Sequence, residues 1–560
     1  MKILLFADNA SRTHTNLAVR SLRCALRDHQ IEAEILETHP KEKSGDVLQK
    51  LYESGADIFG FSIYLWNLED MLRYARALKT LCPDVFIFFG GPEVSYETAD
   101  FFRLHPYVDA ILSGEGEESV VQLYRMVMQG NPPLHSIIIG NTWSRFEMSG
   151  ICYDADENLD GRLLYYESSR GCPFRCAYCM SGETSGVRAK SVQKVSEDLL
   201  EYEKLRADFK VIKFIDRTFN FDVSRTKKIL KILLNPVYTK IYHFEICAEL
   251  LDDETIEILK KFPKAKIQVE VGVQSTYTPA LQSVKRPQKT EILLKRLTQL
   301  KALGNIHVHA DLICGLPHEN FDRLAQSFDD VYPCCHKLQL GFLKLLRGTS
   351  LRREAEQFGF SFLPDPPYTV LKSNALTYEE LRCLNNIAET LDRFHSGSFE
   401  MTVAYLIPLI GSSFLFYRKL TETFKQVHPG LTIHQLSQRR AYELLYTFGK
   451  QLCQTPEDHM MLASSISFDF ILHEAGTLPS TIPKDSEDMI SAGYADEIKK
   501  RFLERNKKAK SQMDSPSFLY STLEVHRFHC LSGRTVIVDR RFHQCYSVVH
   551  DGKYYHFEGI

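Results

Sequence analysis

Cys172, Cys176 and Cys179 share one short segment, Ser169-Arg-Gly-Cys-Pro-Phe-Arg-Cys-Ala-Tyr-Cys-Met180. The spacing is C-x3-C-x2-C, with Gly171 and Pro173 beside the first thiol and Tyr178 just before the last. Three thiolates on one loop can hold three irons of a 4Fe–4S cube, because cysteine thiolate is the usual ligand of such clusters. No fourth cysteine lies nearby, so one iron is left open for a substrate or cofactor. Zinc is the first competitor, since it also takes thiolates, but it wants a fourth protein ligand at short range. The forty residues after Cys179 contain neither Cys nor His. An inert structural role does not suit three thiols this close together.

Further polar groups stand at the ends of apolar runs. They are Asp216 in Asp216-Arg-Thr-Phe-Asn220, Glu245 in His243-Phe-Glu-Ile-Cys247 and Gln274 in Glu270-Val-Gly-Val-Gln-Ser275. Arg286 in Ser283-Val-Lys-Arg-Pro287 and Asp311 in Ala310-Asp-Leu-Ile-Cys-Gly-Leu-Pro317 follow. Taken singly, each has a plain reading as a solvated charge, an ion pair or a turn residue. The Arg286 guanidinium matches a carboxylate as a fork. Cys247 and Cys314 read as buried small hydrophobes. His243, His307 and His309 read as satisfied core histidines, with His309 on the same face as Asp311.

These groups need elements to position them. From Gly161 to about Leu345 the chain alternates strand patterns with helix patterns. Strands are expected at Leu163–Glu167, Val211–Ile215, Tyr242–Cys247, Ala265–Val273 and Val308–Ile313, and helices at Ser191–Leu205, Thr226–Leu234 and Asp253–Phe262. Repeated β-α units with polar residues at strand ends predict a full or partial β/α barrel with its active site on that rim. An earlier alternation covers residues 1–135, with strands at Lys2–Ala7, Ile31–Leu36, Ala56–Tyr64, Asp84–Phe89 and Val108–Leu112. It predicts a parallel, doubly wound, flavodoxin-like sheet. Such sheets bind ligands at their carboxyl ends, where Gly90-Gly91 and Gly114 lie. No G-x-G-x-x-G follows the first strand, so a dinucleotide is not favoured.

The bulk numbers set limits. A chain of 560 residues holds two to four domains. A hydrophobic share of 44%, a charged share of 25% and a net charge of −3 exclude a bulk electrostatic argument for nucleic acid or anionic membrane. The amino terminus runs straight into a polar segment, with no apolar core long enough for a signal peptide, and a cytoplasmic, reducing location is expected. The longest apolar stretch, Phe399–Tyr417, is interrupted by Glu400, Pro408 and Gly411 and reads as a bent core helix, not a membrane span. Beyond Pro364-Asp-Pro-Pro367 the pattern turns to helices, at Thr377–Phe394, Ser398–Lys419 with a break at Pro408, Gln435–Cys453 and Glu457–Glu474. Charged residues 496–510 read as an exposed face. The tail suggests short strands at Leu519–Val525, Thr535–Val538 and Tyr546–Val549. Cys530, Cys545, His526, His529 and His543 fit no standard metal spacing. Domains are expected at 1–135, 160–365 and 366–560.

The cysteine motif resembles the signature of the radical S-adenosylmethionine (SAM) superfamily. The resemblance implies that the open iron binds the amino and carboxylate groups of SAM, and that an electron from the cluster cleaves SAM to a 5′-deoxyadenosyl radical. It further implies that Tyr178 lies against the adenine and that Glu245 and Gln274 hold the ribose and amino acid parts. Arg286 pairs with the SAM carboxylate, Asp311 ends the next strand and Asp216 meets the SAM amine. Gly315-Leu-Pro-His-Glu319 resembles a frequent motif of the same superfamily.

The combination Gly60-Phe-Ser-Ile-Tyr-Leu-Trp-Asn67, Phe88-Phe-Gly-Gly-Pro-Glu93 and Asp109-Ala-Ile-Leu-Ser-Gly-Glu-Gly-Glu117 resembles the cobalamin-binding domain that precedes many radical SAM enzymes. That likeness implies that Ser62 and the Gly90-Gly91 turn lie along the nucleotide tail and corrin, and that Gly114 and Glu115 close the pocket. His14 lacks the Asp two residues before it and the Gly three after it that mark a cobalt-ligating histidine, and it reads as a loop residue. Similar domains in this branch bind cobalamin without a histidine below cobalt. The competing reading is a degenerate domain that only packs against the barrel.

The mainly helical C-terminal third resembles a domain of unassigned role that follows the barrel in one group of cobalamin-type radical SAM proteins. Together the resemblances imply a class B type, cobalamin-dependent radical SAM enzyme, with a 4Fe–4S cluster, SAM and cobalamin as cofactors. It would methylate an unactivated centre of a small-molecule substrate and draw electrons from a flavodoxin or ferredoxin, with no nucleic acid partner. A cyclase or rearrangement enzyme with the same cofactors and a non-catalytic cobalamin or iron–sulfur sensor are the alternatives. A tRNA-modifying methylthiotransferase is disfavoured, because no additional cysteine triad or basic RNA-binding module is visible.

Overall fold

The computed structural model describes residues 1–155, 157–183, 186–395, 397–474, 477–483, 492–505, 523–531, 534–539, 544–550 and 555–559. Residues 506–510, 519–522 and His543, which carry parts of the expectations for the tail, lie outside the described residues.

The first sheet has six parallel strands: β1 Ile3–Asp8, β2 Ala33–Thr38, β3 Ile58–Ser62, β4 Phe86–Gly90, β5 Ala110–Gly114 and β6 Ser136–Gly140. Their order is β2-β1-β3-β4-β5-β6. The connecting helices are α1 Leu17–Asp28, α2 Ser44–Glu53, α3 Leu68–Leu81, α4 Phe101–Leu104 and α5 Gly116–Met128. The alternation along β1 feeds two cores. Leu4 and Phe6 join Phe59, Phe61, Met71 and Leu78, while Ile3, Leu5 and Ala7 join Val19, Leu26, Phe88 and Leu123. Apolar residues on both faces are what a parallel sheet covered by two helix layers requires. Each fully buried Phe contributes about 2 kcal/mol. β6 lies just past residue 135, so the sheet extends beyond the expected boundary; its Ile137 and Ile139 point to solvent, as an edge strand allows.

A second sheet follows, with β7 Leu164–Tyr166, β10 Val211–Phe214, β11 Ile241–Glu245, β12 Ile267–Gln274, β13 Ile306–Cys314 and β14 Lys337–Phe342. Between β7 and β10 lies a small antiparallel ribbon of β8 Ser169–Gly171 and β9 Val187–Ala189. The order β14-β13-β12-β11-β10-β7 places each new strand beside the last, the topology of a partial β/α barrel. The helices are α6 Val192–Lys204, α7 Val223–Leu233, α8 Asp253–Leu259, α9 Thr278–Ser283, α10 Thr290–Ala302, α11 Phe321–Val331 and α12 Ser350–Arg353. Along β12 burial alternates strictly: Ile267, Val269, Val271 and Val273 face the helices, while Gln268, Glu270, Gly272 and Gln274 face the concave side. A ribbon of β15 Ser361–Phe362 and β16 Val370–Lys372 closes this region.

The chain divides into two compact units, residues 1–324, 334–336 and 340–381, and residues 325–333, 337–339 and 382–560. The second contains α13 Tyr378–Phe394 from Arg382 onward, α14 Glu400–Ile410, α15 Ser413–Val427, α16 Gln438–Leu452, α17 Pro456–His473 and α18 Ala492–Arg505. The break expected at Pro408 comes instead at Gly411, whose φ of 82° ends α14 in the left-handed region. Pro408 is carried inside α14. α14 and α15 then diverge by 106°, and no single helix is long and apolar enough to cross a membrane among the described residues. The tail forms a four-stranded antiparallel sheet, β17 Leu523–Phe528, β18 Arg534–Asp539, β19 Gln544–His550 and β20 Tyr555–Gly559. Cys545 is buried with Phe468, Phe528, Val536 and Val538.

Candidate functional site

The cysteine loop leaves β8 and returns through β9. Gly171 opens it with φ of 101°, and a Cβ there would lie 2.2 Å from the carbonyl of Gly186. Only glycine fits that approach. Ala177 N donates to Val284 O at 2.8 Å, and Leu351 N donates to Ala177 O at 2.9 Å, so α9 and α12 both grip the loop. Cys176 is buried; Cys172 and Cys179 are half-buried, and all three are free thiols. Burial pushes the Cys176 thiol up, and the Arg286 guanidinium opposes the shift.

Arg286, Tyr178, Gln274 and Cys176 gather at one point. Arg286 donates from Nη1 to Tyr178 Oη at 3.5 Å and to Cys176 Sγ at 3.8 Å, and from Nη2 to Gly272 O. Gln274 adopts φ of 68° at a bulge in β12 and folds its amide over Gly272, where a Cβ would meet Gln274 Nε2 at 2.2 Å. Asp311 is the register partner of Gly272, which puts it beside this group. Glu319 of the Gly-Leu-Pro-His-Glu segment is buried and accepts from Ser275 Oγ at 2.6 Å, tying the end of β12 to the turn after β13.

Glu245 ends β11 on the concave side, 3.8 Å from Lys213 Nζ, and burial pushes its carboxyl up. Deeper in the barrel, Glu270 Oε2 accepts from Lys213 Nζ at 3.0 Å and lies 3.0 Å from His243 Nε2. His309 Nε2 is 3.4 Å from Asp311 Oδ1. Sequence reasoning took His243 and His309 for core residues and passed over Lys213 and Glu270. The signal was there: these polar residues alternate with apolar ones along β10 to β13, which places them on the concave face.

Asp216 is a correction. It is fully buried, and its carboxylate accepts from Ser168 N at 2.7 Å, Ser169 N at 3.0 Å and Ser168 Oγ. Arg225 lies behind it, donating to Ser168 O at 3.0 Å. Asp216 therefore fixes the turn that leads into the cysteine loop and presents no oxygen to a SAM amine.

The carboxyl rim of the first sheet lies against β7 and the loops around the barrel mouth. Asn67 donates to Asp8 O and Ser62 O, and its Oδ1 accepts from Tyr64 N, which fixes the loop after β3. Trp66, 52% exposed, stacks on Tyr64 at 4.5 Å and 4°, and its indole N–H donates to Asp8 O at 3.1 Å. Ser62 is buried beneath, 3.5 Å from Asn16 Nδ2. Gly91 has φ of 120°, and a Cβ there would meet Ile63 O at 2.3 Å, whereas Gly90 has room, with Leu112 O at 3.6 Å. Gly114, with φ of 88°, sits close to the backbone of Gly140. His14 forms a hydrogen bond with Tyr165 Oη of β7, as a loop residue at the seam.

Acids on this rim face bases on the barrel side. Glu37 pairs with Arg162 at 3.1 Å, Glu97 with Arg352 at 3.0 Å, and Glu93 accepts from Tyr368 and lies 3.6 Å from Arg347. Glu115 pairs with Arg170 at 2.8 Å and with Arg188, and Glu117 pairs with Arg170 at 2.8 Å. Glu115 is thus engaged across the seam and does not simply cap a ligand pocket. None of these bases was singled out in the sequence, because nothing local marks an arginine whose partner lies in another domain. These pairs are partly exposed, so deleting one partner costs less than the about 3–5 kcal/mol lost when a fully buried pair is broken.

Three thiols on one anchored loop, with a guanidinium beside them, are a donor set suited to a 4Fe–4S cluster with one open iron. Among the described residues no group of three or more His, Cys, Asp or Glu side chains is drawn together tightly enough to hold a metal ion as it stands. The thiols are the ligand set by chemistry and loop, not by a closed cage. For cobalamin the fit rests on Gly90, which no protein contact requires to be glycine, and on the exposed Trp66 stacked over the more buried Tyr64 at the strand ends. A hollow of about 550 Å³ lined by Leu72, Arg76, Leu81 and Tyr107 lies on the outer surface between α2 and α3 and contains none of the site residues.

Comparison with known proteins agrees. A B12 binding domain model matches residues 3–124, a radical SAM superfamily model residues 166–331, and a model described as a protein of unknown function (DUF4080) residues 356–530. The chain is 24% identical over 310 residues to the cobalamin-dependent radical SAM methyltransferase TokK of Streptomyces tokunonensis, covering 49% of this chain and 44% of TokK. It is 26% identical over 296 residues to a 2-(S-pantetheinyl)-carbapenam-3-carboxylate methyltransferase of Streptantibioticus cattleyicolor, covering 47% and 43%. The match therefore spans less than half of the length of either relative. The structure of the cobalamin-dependent S-adenosylmethionine radical enzyme OxsB with aqua-cobalamin bound shares the fold, with a TM-score of 0.56 at 14% identity over 93% of this chain and 83% of that one.

Proposed function

Since the chain is a cobalamin-dependent radical SAM protein, with a B12 binding domain ahead of a radical SAM core, we propose that it transfers a methyl group from SAM to an unactivated centre of a small molecule. When bound, the cluster, SAM and cobalamin supply the electron, the radical and methyl source, and the methyl carrier. Cys172, Cys176 and Cys179 hold the cluster. Arg286 takes the SAM carboxylate, with Gln274 and the Gly272 carbonyl beside it and Tyr178 against the base. Glu245 and Asp311 flank the same mouth, and Lys213, His243 and Glu270 form a polar floor for the substrate. Ser62, Gly90, Gly91 and the loop at Gly114 border the cobalamin.

One observation carries the reading: the carboxyl rim of the first sheet, where such sheets bind ligands, is clamped onto the mouth of the barrel that carries the cysteine loop. Methyl transfer through two cofactors requires them to reach one substrate, and this arrangement permits it. Relatives named as methyltransferases support the choice of reaction. A flavodoxin-like or ferredoxin-like donor in the cytoplasm supplies the electron.

The test is anaerobic reconstitution with iron, sulfide and hydroxocobalamin, followed by dithionite and SAM labelled on its methyl group. Wild type should release 5′-deoxyadenosine and pass label to the cobalamin fraction, and Cys176→Ala should do neither. Deoxyadenosine with no label transfer would favour a cyclase or rearrangement enzyme, and no deoxyadenosine at all would leave only a sensor.

A further inference from the structure

Arg170 lies two residues before Cys172, between Ser169 and Gly171 of β8. Its guanidinium meets three carboxylates. Nε donates to Glu167 Oε1 at 3.1 Å and Nη2 to Glu167 Oε2 at 2.7 Å, while Nη1 donates to Glu115 Oε2 and Nη2 to Glu117 Oε1, each at 2.8 Å. One face rests on the Phe146 ring at 4.9 Å. Glu117 is 5% exposed, so its bond is made out of water. Glu115 and Glu117 flank the start of α5, directly after Gly114 at the end of β5. Arg188 on β9, the other wall of the cysteine loop, holds the second oxygen of Glu115.

We propose that Arg170 is a positioning residue that couples the cobalamin loop Gly114–Glu117 to the cysteine loop, so that filling one cofactor site raises affinity at the other. The seam does not need it for docking, since Glu37–Arg162 and the Glu93 and Glu97 contacts with Arg347, Arg352 and Tyr368 already join the domains elsewhere. A planar five-donor fork is the one cation that can serve three carboxylates in fixed directions; lysine, a point charge with three donors, cannot hold all of them in register. Arg170 joins the loop at Glu115 and Glu117 to a chain segment only one residue removed from the first cluster ligand, Cys172. Coupling of this kind is reciprocal. The proposal rests on both cofactors binding, and not on the reaction being a methyl transfer.

The experiment measures hydroxocobalamin affinity from its absorbance change, in apoprotein and in cluster-reconstituted protein with SAM. Wild type should bind at least about fivefold more tightly in the loaded form, the lower end of usual coupling factors. In Arg170→Lys and, from the other side of the seam, Glu117→Gln, the ratio of loaded to apoprotein affinity should fall to one, whatever the apoprotein affinity itself. The electron paramagnetic resonance signal of the reduced cluster with SAM should change on adding cobalamin in wild type and stay fixed in both variants. A merely structural role would lower the melting temperature and leave the coupling intact, and that result overturns the proposal, as does a wild type with equal affinities. If Arg170→Lys does not fold, Glu117→Gln decides. Coupling without labelled methyl transfer would refute the proposed reaction alone; a wild type that binds no cobalamin would refute both.

Discussion

Glu270 shows how far a single side chain can be reasoned about here. His243 first, and then Lys213, hold its carboxyl down to about 2 against the opposing effect of burial, from an ordinary value of 4.5. A depressed carboxyl stabilises the fold above its unfolded pKa and loses that contribution as pH falls through the folded value. The window is therefore pH 4.5 down to about 2. Glu270→Gln should cost about 3 kcal/mol in urea unfolding at pH 6, with the gap to wild type narrowing steadily below pH 4.5. A gap that does not change with pH would remove the ion-pair account. Asp216 teaches the opposite lesson at the same scale. Its strand-end position was legible, but its direction was not, because Ser168, Ser169 and Arg225 come from other segments and enclose it.

At the scale of elements, the adjacent glycines after β4 separate backbone need from ligand need. Gly91 has a positive φ and a carbonyl 2.3 Å from where a Cβ would stand, so Gly91→Ala should destabilise the protein by about 2–4 kcal/mol. Gly90 has ordinary clearance, so Gly90→Ala should shift stability by less than about 1 kcal/mol yet weaken hydroxocobalamin binding. Thermal melts together with cobalamin titration check both, and equal stability losses would void the distinction. The helix break after Phe399 follows similar logic. Proline was the obvious stop in the sequence, but the turn was made by Gly411, because a left-handed cap sets the exit direction while Pro408 is tolerated inside α14.

For the molecule as a whole, the contacts that matter lie between sheets. Rim acids Glu37, Glu93, Glu97, Glu115 and Glu117 meet barrel-side bases Arg162, Arg170, Arg188, Arg347 and Arg352. This charge complementarity helps to hold the rim of the first sheet against the barrel. A ligand that binds only the folded form adds RT ln(1 + [L]/Kd) to stability. Hydroxocobalamin at about one hundred times its Kd should therefore stabilise the folded protein by about 2.7 kcal/mol in urea titration. No shift at saturating ligand would mean that the rim does not bind it.

The residue order alone determined the two alternating β-α domains, the loop that carries Cys172, Cys176 and Cys179, and the glycine-ended strands, because period, spacing and turn chemistry are local properties. Gln274, Arg286 and Tyr178 were singled out through the family resemblance of their motifs, not through periodicity, and the structure brings them together beside Cys176. The edge strands β6 and β14 were not expected, whereas the opposite edges, β2 and β7, were. The concave facing of Lys213, His243 and Glu270 followed from strand alternation, but their pairing with one another did not, nor did the burial of Asp216 or the diversion of Glu115 to Arg170 and Arg188. Each depends on a partner 27 to 73 residues away, and only folding brings such groups within reach of one another.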